Sequence, residues 1–187
     1  MSAGDHILIS AALRGDLGAA TGLVDQYYQP IYGFLRRLCG NETEASDLTQ
    51  KTFSRLWKAL PGFAGKSTFT SWLHGIAHHV YLDWLRGNGH TEARPDHWWE
   101  ERPDGRPGPD RQALEADLNA TLYAAVETLE ADLRETVHLH YYQGLTLEET
   151  AQALNLATST VKYRLRNAIQ ALQGRMLEPP NRLNAQP

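Results

Sequence analysis

Between Thr158 and Met176 the sequence places Lys162, Arg164, Arg166 and Arg175 and not one carboxylate. Cationic side chains concentrated on so short a segment bind phosphate oxygens and guanine edges. Ser159 and Tyr163 lie among them: a hydroxyl that bonds phosphate or base, and a ring that stacks on sugar or meets a thymine methyl. A second chemically able group is His74, His78 and His79. His74 and His78 stand one helical turn apart, yet two ligands without a nearby Cys or third His on that face do not make a zinc set, so no metal is expected. A third is "HLHYY" (His138, His140, Tyr141, Tyr142), whose imidazoles and phenols are expected to be packing residues. With no Gly-rich phosphate loop and no nucleophile beside a base, neither an enzyme nor a cofactor is expected.

The 187 residues carry a formal net charge of −4, which is not the balance of a simple nucleic-acid binder. The charge is regional, however. Glu115, Asp117, Glu127, Glu130, Asp132 and Glu135 precede the basic segment, and an acidic remainder limits non-specific binding by a local basic face. Cys39 is the single cysteine, so no intramolecular disulfide is possible and a reducing setting fits. It ends the apolar run "IYGFLRRLCG" and reads as a buried structural thiol. The start, "MSAGDHILISAALRGD", does not have the pattern of a signal peptide, and no stretch approaches the ~20 apolar residues that span a bilayer. A cytoplasmic protein is expected.

These side chains need elements to position them, and helical periodicity dominates both halves. Helices are predicted over Ile7–Arg14, Leu17–Cys39, Thr43–Leu60 (opened by Thr43-Glu44-Ala45-Ser46 and closed before Pro61-Gly62) and from Ser67 or Thr68 to Arg86. Four more are predicted at 111–128, 131–142, 147–154 and 159–175. Between the two sets, Gly87–Gln112 is rich in Pro, Gly and charge and contains no Val, Ile or Leu, which reads as a flexible linker with Trp98 and Trp99 inside it. The expected fold is all-α, with two small helical domains at 1–86 and 113–187 and the linker at 87–112.

The sharpest local pattern is "GLTLEETAQALNLATSTVKYRLRNAIQAL", Gly144 to Leu172. Thr146 is an N-cap, Glu148 and Glu149 suit the positive end of the helix dipole, and Asn155 tolerates the left-handed conformation that turns a chain tightly. Val161, Leu165, Ala168 and Leu172 define a buried stripe, leaving Ser159, Lys162, Tyr163 and Arg166 outside. A packed hairpin would also expose polar residues. It would not require a small residue at Ala151 or a row of cations, so the pattern favours a helix-turn-helix whose second helix enters a DNA groove.

At these residues the sequence resembles bacterial RNA polymerase sigma factors. "LTLEETAQALNLATSTVKYRLRNAIQAL" is similar to their C-terminal promoter-reading domain. The first half contains "DLTQKTFSRLW", matching the family's D-L-x-Q-x-x-F-x-x-x-W helix, followed by "FTSWLHGIA", matching F-x-x-W-L-x-x-I-A. With only these two domains joined by a short linker, the chain resembles the extracytoplasmic-function (ECF) group over roughly residues 20–175.

The resemblance implies a subunit that binds core RNA polymerase, through a coiled coil of its largest subunit, and directs it to promoter DNA. It implies an anti-sigma partner and a linker threaded along the polymerase. It assigns core docking to Asp47, Gln50, Lys51 and Ser54, with Leu48, Phe53, Leu56 and Trp57 expected mostly in the core. It assigns −10 recognition and melting to Lys66, Ser67, Thr68, His78, His79 and Arg86, and −35 recognition to Ser159, Lys162, Tyr163 and Arg166. Relatives often have Arg and Asn where this chain has His74, Gly75, His78 and His79. Imidazole is the poorer phosphate partner and titrates near neutrality, so more selective and more pH-sensitive DNA opening is expected. The alternative is a stand-alone helix-turn-helix regulator.

Overall fold

The computed structural model describes residues 3–88 and 121–177. Helix α1 (Ala3–Leu13) begins four residues before the predicted start and lies on α2 (Leu17–Cys39). Its anchor is the buried carboxylate of Asp5, which accepts from Tyr27 Oη at 2.8 Å and Gln26 Nε2 at 3.1 Å. Burial, with Asp5 adding to it, pushes the Tyr27 phenol up to about 12. Asp16 caps α2 by accepting from the Ala19 amide, and Gly40 ends it at φ 68°. Only glycine enters that left-handed region without a Cβ penalty. Cys39, buried at this end, donates to the Asn41 carbonyl, and burial pushes its thiol up.

Helix α3 (Glu42–Ala59) is opened by Asn41 rather than Thr43: the Asn41 side chain accepts from the Glu44 amide at 3.0 Å. This places the cap two residues earlier than predicted, since the extended backbone of Asn41 leaves its oxygen free to meet the first turn. A 3-10 turn at Leu60–Gly62 follows, with Pro61 where no amide donor is needed. Helix α4 (Phe69–Asn88) runs through Gly87 and Asn88, the first two residues of the predicted linker. The remainder of that linker, with Trp98 and Trp99, lies outside the described residues.

The second half contains helical residues 121–127 (α5), α6 (Ala131–Val137), α7 (Leu147–Leu154) and α8 (Thr158–Leu177). His138–Tyr142 extends α6 as one π turn, closed by the Gln143 amide on the His138 carbonyl. In "HLHYY", His138 is buried 3.2 Å from Glu127 and His140 Nδ1 donates to the Leu145 carbonyl, whereas Tyr141 is not a packing residue: it is 58% exposed.

Two apolar cores form. Leu23, Ile31, Phe34, Leu48, Leu56, Phe69 and Leu73 build the first, and Val126, Val137, Val161, Leu165 and Ala168 the second. The first core also takes in Leu139, Leu145, Ala153 and Leu154 from the second half, so the two helical units pack against each other. His74 sits wholly inside, its ring edge-on to Phe34 and its Nδ1 donating to the Thr70 carbonyl at 2.8 Å.

Burial pulls the imidazoles of both His74 and His138 below their ordinary value. The unfolded chain therefore binds these protons first. The stability they contribute is complete above about pH 6.5 and is lost as pH falls through that value toward the lowered folded ones. Thermal melts between pH 8 and pH 5 are expected to show a falling midpoint on the acid side. His74→Gln and His138→Gln should each flatten that slope.

Candidate nucleic-acid interface

The corner between α7 and α8 is built from local chemistry. Thr146 Oγ1 accepts from the Glu149 amide at 3.2 Å, and Glu149 Oε2 accepts from the Thr146 amide at 2.9 Å, which completes a reciprocal capping box. Asn155 stands at φ 54°, ψ 47°, and the Leu156 amide reaches back to the Ala151 carbonyl at 2.8 Å. Ala151, Val161, Leu165 and Ala168 are buried, fixing which side of α8 faces inward. An L-residue other than Asn or Gly pays ~1–2 kcal/mol in that left-handed conformation. Asn155→Val is therefore expected to lower the unfolding free energy by about 1 kcal/mol, and Asn155→Gly to leave it unchanged or raise it, as read by urea unfolding.

The outer side of α8 carries Ser159, Lys162, Tyr163 and Arg166, all exposed, with Tyr163 at 59%. Among the described residues no ion pair engages Lys162 or Arg166. Arg164 departs from the expected row of free cations. It turns inward, Nε 3.3 Å from Asp132 Oδ2 and Nη1 3.7 Å from Glu135 Oε1, and joins α8 to α6. The reason is helical phase: position 164 adjoins the buried stripe of Val161, Leu165 and Ala168.

On α3, Asp47, Gln50, Lys51 and Ser54 form one exposed stripe at three- and four-residue spacing. Leu48, Phe53 and Leu56 are buried beneath. Trp57 is not in the core: it is 36% exposed and extends the same stripe. The D-L-x-Q-x-x-F-x-x-x-W spacing alone did not separate it from the buried Phe53, although the turn from Phe53 to Trp57 brings it to the stripe's edge.

The residues of α4 divide. Lys66 is exposed. Ser67 and His79 open, with Arg55 and Trp72, into a cleft of about 410 Å³ that Asn155 also lines. Thr68 caps α4, accepting from the Ser71 amide while donating to Glu149 Oε1 at 2.8 Å. His78 is buried with its Nε2 2.7 Å from Glu135 Oε2. Of the three histidines of α4, His79 alone is exposed. Arg86 pairs with Asp83, which Arg55 also contacts at 2.7 Å; these guanidinium partners, Arg55 first, hold the Asp83 carboxyl below its ordinary value. Among the described residues no group of three His, Cys, Asp or Glu side chains is placed to hold a metal ion.

A helical unit with an exposed polar stripe is followed by a capped helix-turn-helix whose outer face is basic, the arrangement of a DNA-binding protein. The Sigma-70 region 2 family model matches residues 23–91, and the Sigma-70 region 4 model matches residues 120–172. ECF RNA polymerase sigma factor SigX of Bacillus subtilis (strain 168) is 30% identical over 158 residues, covering 82% of this chain and 81% of its own. The RNA polymerase sigma-H factor of Pseudomonas aeruginosa is 29% identical over 183 residues, covering 94% of each chain. ECF sigma factor SigE of Mycolicibacterium smegmatis is 33% identical over 153 residues, and the match spans 81% of this chain and 59% of that protein. The fold is shared with CnrH, solved in complex with the cytosolic domain of CnrY (TM-score 0.68, 24% identity, 92% of this chain and 97% of that one). It is shared also with the sigma factor RpoE of Bartonella quintana (TM-score 0.63, 21% identity, 83% and 95%).

The chain belongs to the sigma-70 family of RNA polymerase sigma factors, in its ECF group. Both family models match, so a stand-alone helix-turn-helix regulator is not the favoured description.

Proposed function

We propose that this sigma factor works through three faces, two on an N-terminal unit (1–86) and one on a C-terminal unit (113–187), with a linker (87–112) between the units. Asp47, Gln50, Lys51, Ser54 and Trp57 on α3 dock on the coiled coil of the polymerase's largest subunit. Lys66, Ser67, Thr68, His78, His79 and Arg86 contact and open the −10 element, where a loop at a helix start offers amides and hydroxyls to phosphate and unstacked bases. Ser159, Lys162, Tyr163 and Arg166 read the −35 element. The protein acts as a dissociable, non-enzymatic subunit in the cytoplasm, where polymerase and DNA are.

RpoE was solved in complex with the anti-sigma factor NepR. An anti-sigma partner that holds both helical units is the corresponding assignment for this chain. The observation that carries the reading is the exposed cationic face of α8, set outward by the left-handed corner at Asn155. Fluorescence anisotropy on labelled promoter duplexes tests it. Sequence-specific binding is expected with core polymerase present, and tight sequence-specific binding without core would instead favour an independent regulator.

A further inference from the structure

We propose that Arg55, on the docking helix α3, serves DNA rather than polymerase, and that Asp83 is the residue that positions it. Asp83 holds Arg55 and Arg86 on one carboxylate as a two-guanidinium grip for a backbone phosphate of the opened −10 strand. The proposal rests on the assignment of α4 to the −10 element.

Position along α3 would put Arg55 with the docking stripe, since it follows Ser54 and stands one turn beyond Lys51. The fold turns it the other way. Its Nη1 lies 2.7 Å from Asp83 Oδ2 on α4, and it lines the cleft that Ser67, Trp72 and His79 also line. Asp83 Oδ1 in turn accepts from Arg86 Nη2. His79, Asp83 and Arg86 follow at spacings of four and three, which is one stripe of α4. Arg55 reaches that stripe from the neighbouring helix, so the −10 face includes a cation that α4 does not supply.

One carboxylate thus carries two guanidinium groups, one on each oxygen, and the three together keep one net positive charge. Each guanidinium has five N–H donors. Among the described residues neither has a hydrogen bond or ion pair other than that to Asp83. Arg55 is 49% exposed and Arg86 73%, so the remaining donors meet water. Ion pairs this exposed add little to the stability of a fold. What they fix is geometry: two cations that repel each other in solution are held on one anion. Planar guanidinium forks match phosphate oxygens, and side chains ordered before DNA arrives need not be ordered by it. Asp83 stays ionised in this role, because the hydrogen bond from Arg55, and after it that from Arg86, holds its carboxyl below the ordinary value.

The sign of the Asp83 effect separates positioning from simple charge. A carboxylate beside a phosphate repels it, so on charge alone Asp83 weakens DNA binding and its removal tightens it. As a positioning residue it strengthens binding, and its removal weakens it.

Holoenzyme assembled from core polymerase and each variant is titrated onto a premelted probe at several salt concentrations. The probe is duplex DNA of a promoter that the unsubstituted holoenzyme uses, with the −10 segment left unpaired. Arg55→Ala should weaken binding about tenfold, the scale of one lost hydrogen bond to a charged group. It should also reduce the slope of log K against log salt by about 0.7, the value for one phosphate of a single strand. Asp83→Asn should weaken binding about threefold or more, the cost of ordering a long side chain on binding. Assembly with core, read by sedimentation, should be unchanged for both. Equal or tighter binding by Asp83→Asn overturns the positioning role. An unchanged salt slope in Arg55→Ala, or a loss of core assembly instead of DNA binding, overturns the role given to Arg55. Lys66→Ala is read in parallel. If it weakens binding while Arg55→Ala does not, the grip alone fails; if neither does, the −10 assignment fails with it.

Discussion

Replacing Lys162 and Arg166 together by alanine is expected to lower promoter-dependent transcription by roughly a hundredfold or more, since each good side-chain contact to a base pair carries about 1–3 kcal/mol of discrimination. The fold should survive, because both side chains are exposed and Val161, Leu165 and Ala168 remain to bury the other side of α8. The residual activity should also depend less steeply on salt, as fewer counterions are released per bound phosphate. Quantitative run-off assays at two salt concentrations measure both effects. Arg164→Ala is the informative contrast. That guanidinium is spent on Asp132 and Glu135, so its loss should lower thermal stability before it alters promoter choice.

The second large effect is expected on α3. Lys51→Glu combined with Trp57→Ala should weaken binding to core polymerase by roughly thirtyfold or more, because an exposed tryptophan beside a charged stripe has the composition of an interface hot spot worth about 2 kcal/mol. Trp57 is 36% exposed, so truncation removes a contact surface without opening a cavity in the core. Sedimentation of the variant with core polymerase measures the loss. Binding of the −35 duplex by the α8 face, assayed with an excess of core, should recover when the docking step is saturated.

Much of this arrangement could be read from residue order. The Thr146 cap, the Pro61-Gly62 stop and the stripe Val161, Leu165, Ala168 are local signals that survive folding because they involve neighbours three or four residues apart. The cap of α3, by contrast, lies at Asn41 and not at the expected Thr43. The corner at Asn155 belongs to the same class, since one residue's tolerance of positive φ decides it.

Long-range partners were hidden. Nothing near Arg164 in sequence announces Asp132 or Glu135, so residue order alone does not separate it from the free cations that the fold leaves at Lys162 and Arg166. The burial of His78 is equally invisible in residue order, because its carboxylate partner lies 57 residues away. Trp57 was ambiguous for another reason: a large aromatic at a helical spacing suits a core and a docking face equally, and only its exposure separates them. Nothing in the sequence around Gly75 signals that the Ala153 backbone passes within van der Waals contact of where its Cβ would stand.

Run-off transcription on a promoter library, with core polymerase alone and with this protein added, bears most directly on the sigma-factor assignment. Initiation is predicted from a subset of promoters only when the protein is present, and it should fall away with the Lys162→Ala/Arg166→Ala variant. Failure to stimulate initiation from any promoter would contradict it.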